Sequence, residues 1–478
     1  MTNIINNKAI TRRSDDFAQW YTDVVRAAKL ANYSSLKGFI IFEPNGYGLW
    51  ERIQQELDKK FKETGHENVY MPLLIPESML AKESELLEGF MPEVAWVTEG
   101  GTKKLQERVC IRPTSETVFS DYYSKSISSY RDLPKLLNQW CSVVRWEKET
   151  RPFLRSREFL WQEGHTAHAN KEEAEAETMR MLEVYKTFVE DFLAIPVISG
   201  RKTESEKFAG ADYTLTIEAL MYNGVSLQAG TSHYFGQKFS KAYDITFSDK
   251  NSQTEYAYQT SWGMSTRIIG GLIMVHGDDK GLIIPPKIAP KQVIIVPIAN
   301  EQNILDAVES VREMLLQSDV KVVVDLSENS PGFKFAESEV QGIPIRLEIG
   351  KRDLEKGKVT VVRRDTGEKI EFESDDTLPK SIKNILDEIQ KNLFVKAKQR
   401  LGDLTFEAQT IDEVEQIIRE HPGFVKAMWC GDPACEEKMR ERSGIKSRCI
   451  ITGEKPVSDN CVVCGKKASN LVIWGIQY

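Results

Sequence analysis

Charged side chains suited to phosphate chemistry are concentrated between Gln139 and Glu163. The run Gln139–Glu147 has β character, and Arg145 and Glu147 are two residues apart, so both would lie on one face of a strand. A guanidinium held on a rigid strand can bind phosphate oxygens bidentately, and a carboxylate beside it can accept a hydrogen bond from an exocyclic amine. This stretch is therefore a candidate nucleotide site.

The chain then returns through a second predicted strand, which makes a hairpin. The loop Lys148–Arg157 is cationic, and the returning run Glu158–Glu163 places Phe159, Trp161 and Glu163 on one face by period two. An aromatic wall with a carboxylate can hold a planar base or a small apolar ring. A surface hairpin with a solvated charged loop fits the same pattern, and the hairpin alone leaves both interpretations open.

Two shorter motifs carry similar chemistry. Arg267 follows a turn at Gly263 and precedes an apolar helical run, so it can clamp a phosphate, although an ordinary salt bridge would also explain it. Thr114-Ser115-Glu116 offers a hydroxyl and a carboxylate that can bind an ammonium group. The same triplet can start a helix, with a hydroxyl as its cap, and these two interpretations are compatible.

Five of the seven cysteines fall in the last 49 residues of the sequence. Cys430 and Cys435 form C-x4-C, and Cys461 and Cys464 form C-x2-C. Two such pairs suit a tetrahedral structural Zn²⁺, with Cys449 as a possible substitute ligand. Reduced, unbound thiols are the alternative. No pairing of histidine and carboxylate residues indicates a catalytic metal.

The elements that must position these groups divide the 478 residues into three predicted regions. The first, 1–288, contains a helix with an apolar stripe of Trp50, Ile53, Leu57 and Phe61, and ends at a proline-rich linker. The second, 289–395, alternates strands and helices, with a final helix at Ile382–Phe394, and is predicted to be an α/β domain. The third, 396–478, ends in the cysteine cluster.

Composition excludes several classes of protein. Hydrophobic residues make up 41% and charged residues 28% of the chain, which is ordinary for a globular protein. Runs such as Ile268–Val275 are too short to span a bilayer, and no apolar signal segment begins the sequence, so we expect a cytosolic protein. The net charge of −8 argues against non-specific coating of nucleic acid, but residues 346–364 are locally +4.

The motifs resemble those of class II aminoacyl-tRNA synthetases. Val144–Glu147 (VRWE) resembles the second motif of that class, and the longer run Arg151–His168 is similar to prolyl-tRNA synthetases in particular. Region 38–76 is similar to the first motif, which forms a dimer interface, although an ordinary core helix fits equally well. Region 261–286 resembles the third motif in its prolyl variant, with Met264, Ser265 and Thr266 where glycines are usual.

The resemblance implies an α+β class II catalytic domain with an antiparallel sheet and helices, an α/β anticodon-binding domain and a small α/β zinc-binding domain. It also implies site residues. The implied ATP-binding residues are Arg145, Glu147, Arg155, Ser156, Gln228, Thr231, Ser265 and Arg267. The implied proline-binding residues are Thr114, Glu116, Arg145, Trp161, Glu163, His165 and His233. Arg145 and Arg267 would be catalytic.

The implied reaction joins L-proline to ATP, giving prolyl-adenylate and pyrophosphate, and then transfers proline to the 3′ end of tRNA(Pro). Mg²⁺ would assist, and the enzyme would be a cytoplasmic homodimer without membrane contact. About 60 residues separate His168 from Gln228, too few for an editing domain, so we expect no editing of alanyl-tRNA. The family's chains end in tyrosine near the active site, as Tyr478 would here.

Two rival functions remain. One is another class IIa synthetase, for instance one specific for threonine or histidine, against which the prolyl-like loop sequences argue. The other is a relative that only binds RNA. Loss of Arg145, Glu147 or Arg267 would indicate that relative, and all three are present. The basic strip at 346–364 would face RNA, although Lys334, Arg346 and Arg352 cannot be ranked as anticodon readers.

Overall fold

A long, largely antiparallel sheet forms the first region of the chain, with helices packed on it. The computed structural model describes residues 10–84, 93–442 and 444–478. Residues 1–9 and 85–92 of the predicted first domain lie outside this described part. The expected antiparallel sheet with helices is therefore confirmed for the described residues of this region.

The first region contains helices and strands in the following order. The helices are α1 Phe17–Ala27, α2 Pro44–Glu63, α3 Glu77–Ser84, α4 Glu116–Ser126, α5 Lys171–Asp191, α6 Lys238–Ala242 and α7 Arg267–His276. The strands are β1 Ala31–Tyr33, β2 Ile40–Phe42, β3 Glu67–Asn68, β4 Leu74–Pro76, β5 Trp96–Gly100, β6 Lys103–Ile111, β7 Lys135–Val144, β8 Glu158–His168, β9 Val197–Arg201, β10 Tyr213–Leu220, β11 Ser226–Gly236, β12 Thr246–Ser248, β13 Thr254–Tyr256 and β14 Tyr258–Ser265.

The centre of the main sheet has the order β9-β10-β11-β14-β8-β7-β3. Neighbouring strands from β9 to β7 are antiparallel, and the short β3 is parallel to β7. The predicted hairpin is therefore present as β7 and β8, in register from Lys135 opposite Ala167 to Val144 opposite Glu158.

Two predicted helices contribute to the core that packs against this sheet. The apolar stripe of α2 is buried, as Trp50, Ile53, Leu57 and Phe61 each expose 3% or less of their surface. Helix α7 begins at Arg267 and is apolar almost all round, so it is buried along its length, as such helices are. Buried side chains of both helices and of the main sheet form one hydrophobic core.

The second region is an α/β unit, as predicted. Its helices are α8 Gln302–Gln317, α9 Pro331–Val340, α10 Lys351–Lys356 and α11 Leu378–Asp403. Its strands are β15 Val293–Pro297, β16 Val322–Val324, β17 Ile345–Ile349, β18 Lys358–Arg363 and β19 Lys369–Glu373. The sheet order is β16-β15-β17-β18-β19, with the first three strands parallel and the last two antiparallel.

Helix α11 differs from the helix predicted at Ile382–Phe394, because it continues without a break to Asp403. Its buried residues keep helical spacing as far as Ala397, which explains why the helix does not end at Phe394. The predicted division at 395/396 therefore falls inside one helix that serves both flanking regions.

The third region extends the main sheet. It comprises helices α12 Ile411–Glu420 and α13 Pro433–Glu441 and strands β20 Thr405–Glu407, β21 Phe424–Trp429, β22 Lys446–Ile451 and β23 Asn470–Gly475. Strand β22 lies beside β9, where Ile450 pairs with Arg201. The approach is so close that a Cβ on Gly200 would lie 2.4 Å from the carbonyl oxygen of Ile450. Within the described residues, no helix is long and apolar enough to span a membrane.

Candidate active site

Three neighbouring strands bring most of the predicted site residues together. Gly263 of β14 lies directly between Glu163 of β8 and Thr231 of β11 in the sheet register. Because side chains alternate along a strand, Trp161, Glu163 and His165 share one face of the sheet with the odd-numbered residues of β14 that lie opposite them. Gly164, on the opposite face, leaves room for Trp262, whose ring would lie 2.1 Å from a Cβ at this position.

Arg145 and Glu147 do not lie in a strand, which corrects the prediction. Strand β7 ends at Val144. Beyond it, the Arg145 N–H donates to the Arg157 carbonyl at 2.8 Å, and the Glu147 N–H bonds back to the Arg145 carbonyl at 2.7 Å. This tight turn removes Glu147 from the ladder, so the period-two argument does not apply to the pair.

The Arg145 guanidinium nevertheless reaches the predicted aromatic face. Its carbon lies 5.5 Å from the centre of the Phe159 ring and 5.3 Å from that of Trp161. Its Nε donates to the Pro113 carbonyl at 3.0 Å, which ties it to the Thr114–Glu116 triplet. Desolvation lowers the pKa of Arg145, while the nearby carboxylates of Glu116 and others act to raise it. One cation therefore links the aromatic wall to the triplet.

Arg267 completes a cationic cluster beside this wall. Its Nε donates to the Leu154 carbonyl at 3.1 Å, and its backbone N–H donates to the Ser265 hydroxyl at 3.3 Å. Desolvation, together with the charges of Arg145 and Arg155, lowers the pKa of Arg267 to about 10. The three guanidiniums are thus close enough to repel one another, and a polyanion bound among them would relieve that repulsion.

Glu163 is the most heavily hydrogen-bonded group of the pocket. It accepts bonds from the Ser115 hydroxyl at 2.6 Å, the Ser115 backbone N–H at 3.1 Å and the Gln139 amide at 2.7 Å, and contacts His165 Nε2 at 3.0 Å. Burial alone would raise the pKa of Glu163, but hydrogen bonds from His165, Ser115 and Gln139 outweigh it and lower the pKa. The carboxylate is therefore ionised and already committed to protein donors.

Gln139 is a site residue that the sequence did not indicate, and Ser115 was named in the triplet but not among the implied binding residues. Gln139 is fully buried and opposite Glu163 in the hairpin register. Its side-chain oxygen accepts the Met71 N–H at 2.9 Å, and its amide also donates to the Ser115 hydroxyl at 2.8 Å. The available signal was the period-two spacing of β7, which continues back from Val143 to Gln139.

The Thr114–Glu116 triplet starts a helix, as its alternative interpretation proposed. Helix α4 begins at Glu116 with Ser115 in the cap position, but the Ser115 side chain makes no capping bond because it is bound to Glu163. The Thr114 hydroxyl donates to the Glu116 carboxylate. Glu116, Glu163 and His165 present oxygen and nitrogen atoms within 4.8 Å of one another. The negative charge concentrated here suits a cationic group.

His233 is a neutral, packed histidine beside the pocket. Its Nδ1 lies 2.8 Å from the Thr214 hydroxyl and its Nε2 lies 3.2 Å from the Thr231 hydroxyl. Its ring packs 5.0 Å from that of Phe208. Burial, together with the nearby His165, lowers the pKa of His233 to about 3, so the imidazole carries no charge at neutral pH.

Two of the remaining predicted nucleotide residues are Gln228 and Ser156. Gln228 lies on β11, opposite Glu218 of β10. The Ser156 hydroxyl is buried and has no hydrogen-bond partner within the described part of the chain, so it is available to a ligand. Tyr478 also approaches the loop, as expected. Its ring centre lies 5.6 Å from the Arg151 guanidinium carbon, and its N–H donates to the Ser226 carbonyl at 3.0 Å.

The predicted cysteine cluster is present in the third region. The sulfur atoms of Cys430, Cys435, Cys461 and Cys464 lie within 4.8 Å of one another, and Cys430 Sγ is 3.8 Å from both Cys435 Sγ and Cys464 Sγ. Four thiolates at about 2.3 Å from a tetrahedral zinc would be about 3.8 Å apart. Cys449 lies in a separate apolar cluster and is not among these ligands. The four cysteines therefore fit zinc.

The expected basic strip at 346–364 is not a continuous surface, which corrects the prediction. Arg346, Arg363 and Arg364 are buried, and each is paired with a carboxylate, at 3.0 Å, 3.0 Å and 2.6 Å respectively. These arginines are therefore used internally, because buried charges require partners. Lys351 and Arg352 remain exposed on α10. The buried Lys334 donates to a backbone carbonyl at 3.0 Å.

Three protein families match successive parts of the chain. The family described as "tRNA synthetase class II core domain (G, H, P, S and T)" matches residues 96–276. The "Anticodon binding domain" matches 292–385, and "Prolyl-tRNA synthetase, C-terminal" matches 411–478. The order of these matches is that of the three regions.

Full-length relatives agree with this assignment. The chain is 57% identical over 472 residues to a proline–tRNA ligase of Clostridium novyi, covering 98% of both chains. It is 56% identical over 471 residues to proline–tRNA ligase 2 of Bacillus cereus, covering 98% of this chain and 99% of the other. A crystal structure of prolyl-tRNA synthetase from Cryptosporidium parvum, complexed with halofuginone and AMPPNP, matches with a TM-score of 0.94 and 40% identity. That match covers 98% of this chain and 99% of the other.

Proposed function

Since this chain belongs to the prolyl-tRNA synthetases, a family of class II aminoacyl-tRNA synthetases, we propose that the pocket beside Arg145 binds proline and ATP side by side. Enzymes of this family are proline–tRNA ligases. One observation carries the proposal. Arg145 contacts the Thr114–Glu116 triplet through Pro113, lies over the Trp161 ring and shares a cationic cluster with Arg267. It can therefore hold both reactants.

The proline half of the pocket is assigned by its acceptors. The secondary ammonium of proline has two N–H donors, which Glu116 and Thr114 accept. Trp161 forms the wall against the pyrrolidine ring, and Arg145 binds the carboxylate of proline. His165 and the neutral His233 complete the pocket. Glu163 acts by fixing Ser115 and His165, since its own oxygens are occupied.

The ATP half is assigned by its cations. Arg145, Arg155 and Arg267 bind the phosphates, Glu147 accepts from the exocyclic amine of adenine, and a hydrogen-bonding set completes the contacts. This set consists of Ser156, Gln228, Thr231 and Ser265. An oxygen of the proline carboxylate forms a bond to the α-phosphorus, and the bond from that phosphorus to the β-bridging oxygen breaks. Pyrophosphate leaves with the electron pair, and the three cations stabilise the charge that develops.

Magnesium would bind chiefly through the phosphates of ATP, where it neutralises their charge. Within the described residues, the groups of histidine, cysteine and carboxylate side chains able to hold a metal are the cysteine cluster and the Glu116–Glu163–His165 group, and the second of these belongs to the proline half. The cysteine cluster would hold a structural zinc through Cys430, Cys435, Cys461 and Cys464. A structural zinc stabilises the fold around it and takes no part in the reaction.

The prolyl group then passes from the adenylate to the 3′-terminal ribose of tRNA(Pro), while residues 289–395 bind the anticodon. The division into 1–288, 289–395 and 396–478 is part of this proposal, with α11 shared between the last two. We also propose a cytoplasmic homodimer. Three side chains in or beside the first-motif region, Ile41, Tyr47 and Tyr70, expose 52%, 45% and 70% of their surface, which supports a protein contact there. Light scattering after gel filtration tests the homodimer.

The test of the reaction is amino-acid-dependent ATP–pyrophosphate exchange, with proline compared with threonine, histidine, alanine and cysteine. Strong exchange with proline alone is expected. Preference for another amino acid would overturn the pocket assignment. Absence of exchange from folded, zinc-loaded protein would overturn the assignment of the Arg145 site as catalytic.

A further inference from the structure

A buried ionic cluster joins the third region to the main sheet. Lys202, Glu218 and Arg448 expose 2%, 0% and 0% of their surface. Glu218 accepts a hydrogen bond from Lys202 Nζ at 2.7 Å, and from Nη2 and Nε of Arg448 at 3.1 Å and 3.3 Å. Lys202 Nζ also donates to the Arg448 carbonyl at 2.8 Å. Three full charges are therefore held at the junction of β9, β10 and β22.

Burying such a cluster has a large desolvation cost, which suggests that it does more than stabilise the fold. Moving a charged side chain from water into the protein interior costs several kcal/mol per ion. Apolar residues in place of a buried ion pair often stabilise a fold as well or better. Burial alone would raise the pKa of Glu218, but Lys202 and Arg448 outweigh it and lower the pKa to about 2. Two further donors, the hydroxyls of Thr216 and Ser226, each contact the carboxylate at 2.9 Å. The ionised form of Glu218 is thus stabilised by two cations and two hydroxyl groups.

The cluster reaches the nucleotide side of the site through Ser226. This residue lies two positions before Gln228, so their side chains share one face of β11, and Glu218 is opposite Gln228 in the ladder. The ladder is irregular at Glu218, which makes the local register dependent on how Glu218 is held. The Ser226 backbone also binds the last residues, donating to Ile476 at 2.8 Å and accepting from Tyr478 at 3.0 Å.

A second connection is electrostatic. The pKa of Arg267 is lowered by desolvation and by the charges of Arg145 and Arg155, and the Glu218 carboxylate is among the charges that oppose this shift. Glu218 therefore acts on the cation that begins α7, and Arg448 and Lys202 determine how much of the Glu218 charge is already compensated. The third region thus influences both the geometry and the charge of the nucleotide half.

We propose that Arg448 and Lys202 are positioning residues for ATP, acting through Glu218 on the strand of Gln228 and on Arg267. This inference rests on the proposed binding of ATP by Gln228 and Arg267. It makes Arg448, a residue of the zinc-binding region, part of the support for one substrate only. The proline pocket is held by a different network, centred on Glu163.

The test compares Arg448→Met with Arg440→Met in the full-length, zinc-loaded enzyme. Arg440 contacts Glu206 across the same junction at 3.4 Å, but it is more exposed, which makes it a matched control. In pyrophosphate exchange, Arg448→Met should raise KM for ATP on the order of tenfold to a hundredfold, the scale seen when a group remote from the chemistry shifts ligand contacts. KM for proline should stay unchanged, and Arg440→Met should alter neither constant.

Two further variants keep the inference testable if Arg448→Met does not fold. Glu218→Gln retains the shape of the side chain and removes its charge, and should raise KM for ATP in the same way. Arg448→Lys retains the charge and should restore much of the ATP affinity. The double variant Glu218→Gln/Arg448→Met should be no worse than the worse single variant, because both remove one interaction.

Equal changes in KM for both substrates would overturn the inference, as would a loss of thermal stability without any change in KM for ATP. Equilibrium titration with a non-hydrolysable ATP analogue provides the independent check, since its Kd should rise with KM. Failure of the proposed function would be recognised differently, by absence of proline-dependent exchange in the unmodified enzyme.

Discussion

Ser115 donates two hydrogen bonds to Glu163, from its hydroxyl at 2.6 Å and from its backbone N–H at 3.1 Å. This pairing fixes the start of helix α4 to strand β8. It therefore orients Thr114 and Glu116, the residues on either side of Ser115, although the oxygens of Glu163 are themselves occupied by protein donors. The proline pocket is therefore built on an internal ionised group rather than on flexible surface residues.

Replacing Glu163 with glutamine should weaken proline binding selectively. The amide would present a donor to groups that are themselves donors, and an unsatisfied buried polar group costs about 1–3 kcal/mol. We expect KM for proline to rise about five- to 150-fold, with KM for ATP little changed. Pyrophosphate exchange with each substrate varied in turn measures both constants. Glu183→Gln, on the exposed face of α5, is the control and should behave as the unmodified enzyme.

Arg145→Lys should abolish most activity although the charge is retained. An ammonium cannot bind a carboxylate and a phosphate through a planar fork, and it loses the fixed bond to Pro113. A fall in kcat of about 100-fold or more is expected, the scale for removing one preorganised donor. Single-turnover formation of prolyl-adenylate measures it. Retention of full activity, at a level matching the exposed control Arg131→Lys, would contradict the assigned role.

The cysteine cluster predicts which cysteine substitutions remove bound zinc and which leave it in place. Cys464→Ser should eliminate bound zinc and lower the melting temperature, because a structural zinc contributes directly to folding. Cys449→Ala should keep the metal, since Cys449 lies outside the cluster. Elemental analysis of both purified variants, alongside thermal unfolding, separates the two cases. Zinc loss from Cys449→Ala would show that the ligand set is wrong.

Acid should destabilise the fold through His276. Burial lowers the pKa of His276 to about 4, while the ordinary value in an unfolded chain is about 6.5. Below about pH 6.5 the unfolded chain therefore binds a proton that the folded chain does not bind until about pH 4. The stability contribution is present above about 6.5 and is lost as the pH falls, by about 1.4 kcal/mol per pH unit.

The matching variant is His276→Gln, whose amide can still donate toward the Leu193 carbonyl, which His276 contacts at 2.8 Å. Its melting temperature should fall less than that of the unmodified enzyme between about pH 7.5 and about pH 5.5. Thermal unfolding at the two values measures the difference. An equal fall in melting temperature in both proteins would show that His276 does not cause the acid destabilisation.

The short stretch between His168 and Gln228 predicts that the enzyme does not edit alanyl-tRNA. Residues 169–227 are wholly described, and they contain α5, β9 and β10 with their connections. No second hydrolytic domain fits in that stretch, and pocket fit discriminates weakly against a smaller amino acid. Purified enzyme should leave preformed alanyl-tRNA intact beyond its spontaneous rate of hydrolysis. Enzyme-dependent release of alanine would disprove this.

Local patterns predicted the parts of the fold that depend on nearest neighbours. The β7–β8 hairpin, the apolar stripe of α2 and the start of α7 at Arg267 follow from side-chain periodicity and one turn. The end of β7 at Val144 did not, because it depends on a backbone bond from Arg145 to Arg157 that no periodicity reveals.

Long-range pairing explains the other differences. The basic strip at 346–364 was expected to face RNA, but Arg364 pairs with Asp278, which lies far away in the sequence. Gln139 was overlooked because its importance depends on Met71 and Ser115, which come from two other segments. Charge and composition record none of these partners, so they could only be found in three dimensions.

Strand β9 has a consequence for synthesis of the chain. Within the described residues, its outer side is covered by β22, whose Ile450 pairs with Arg201 and is translated about 250 residues later. At about 5–20 residues per second, the ribosome needs roughly 12–50 s to supply that cover. During this interval the nascent sheet has an open edge, the kind of backbone surface on which strands of other chains can add. The interval is a window in which a chaperone that shields strand edges would raise the yield of folded enzyme.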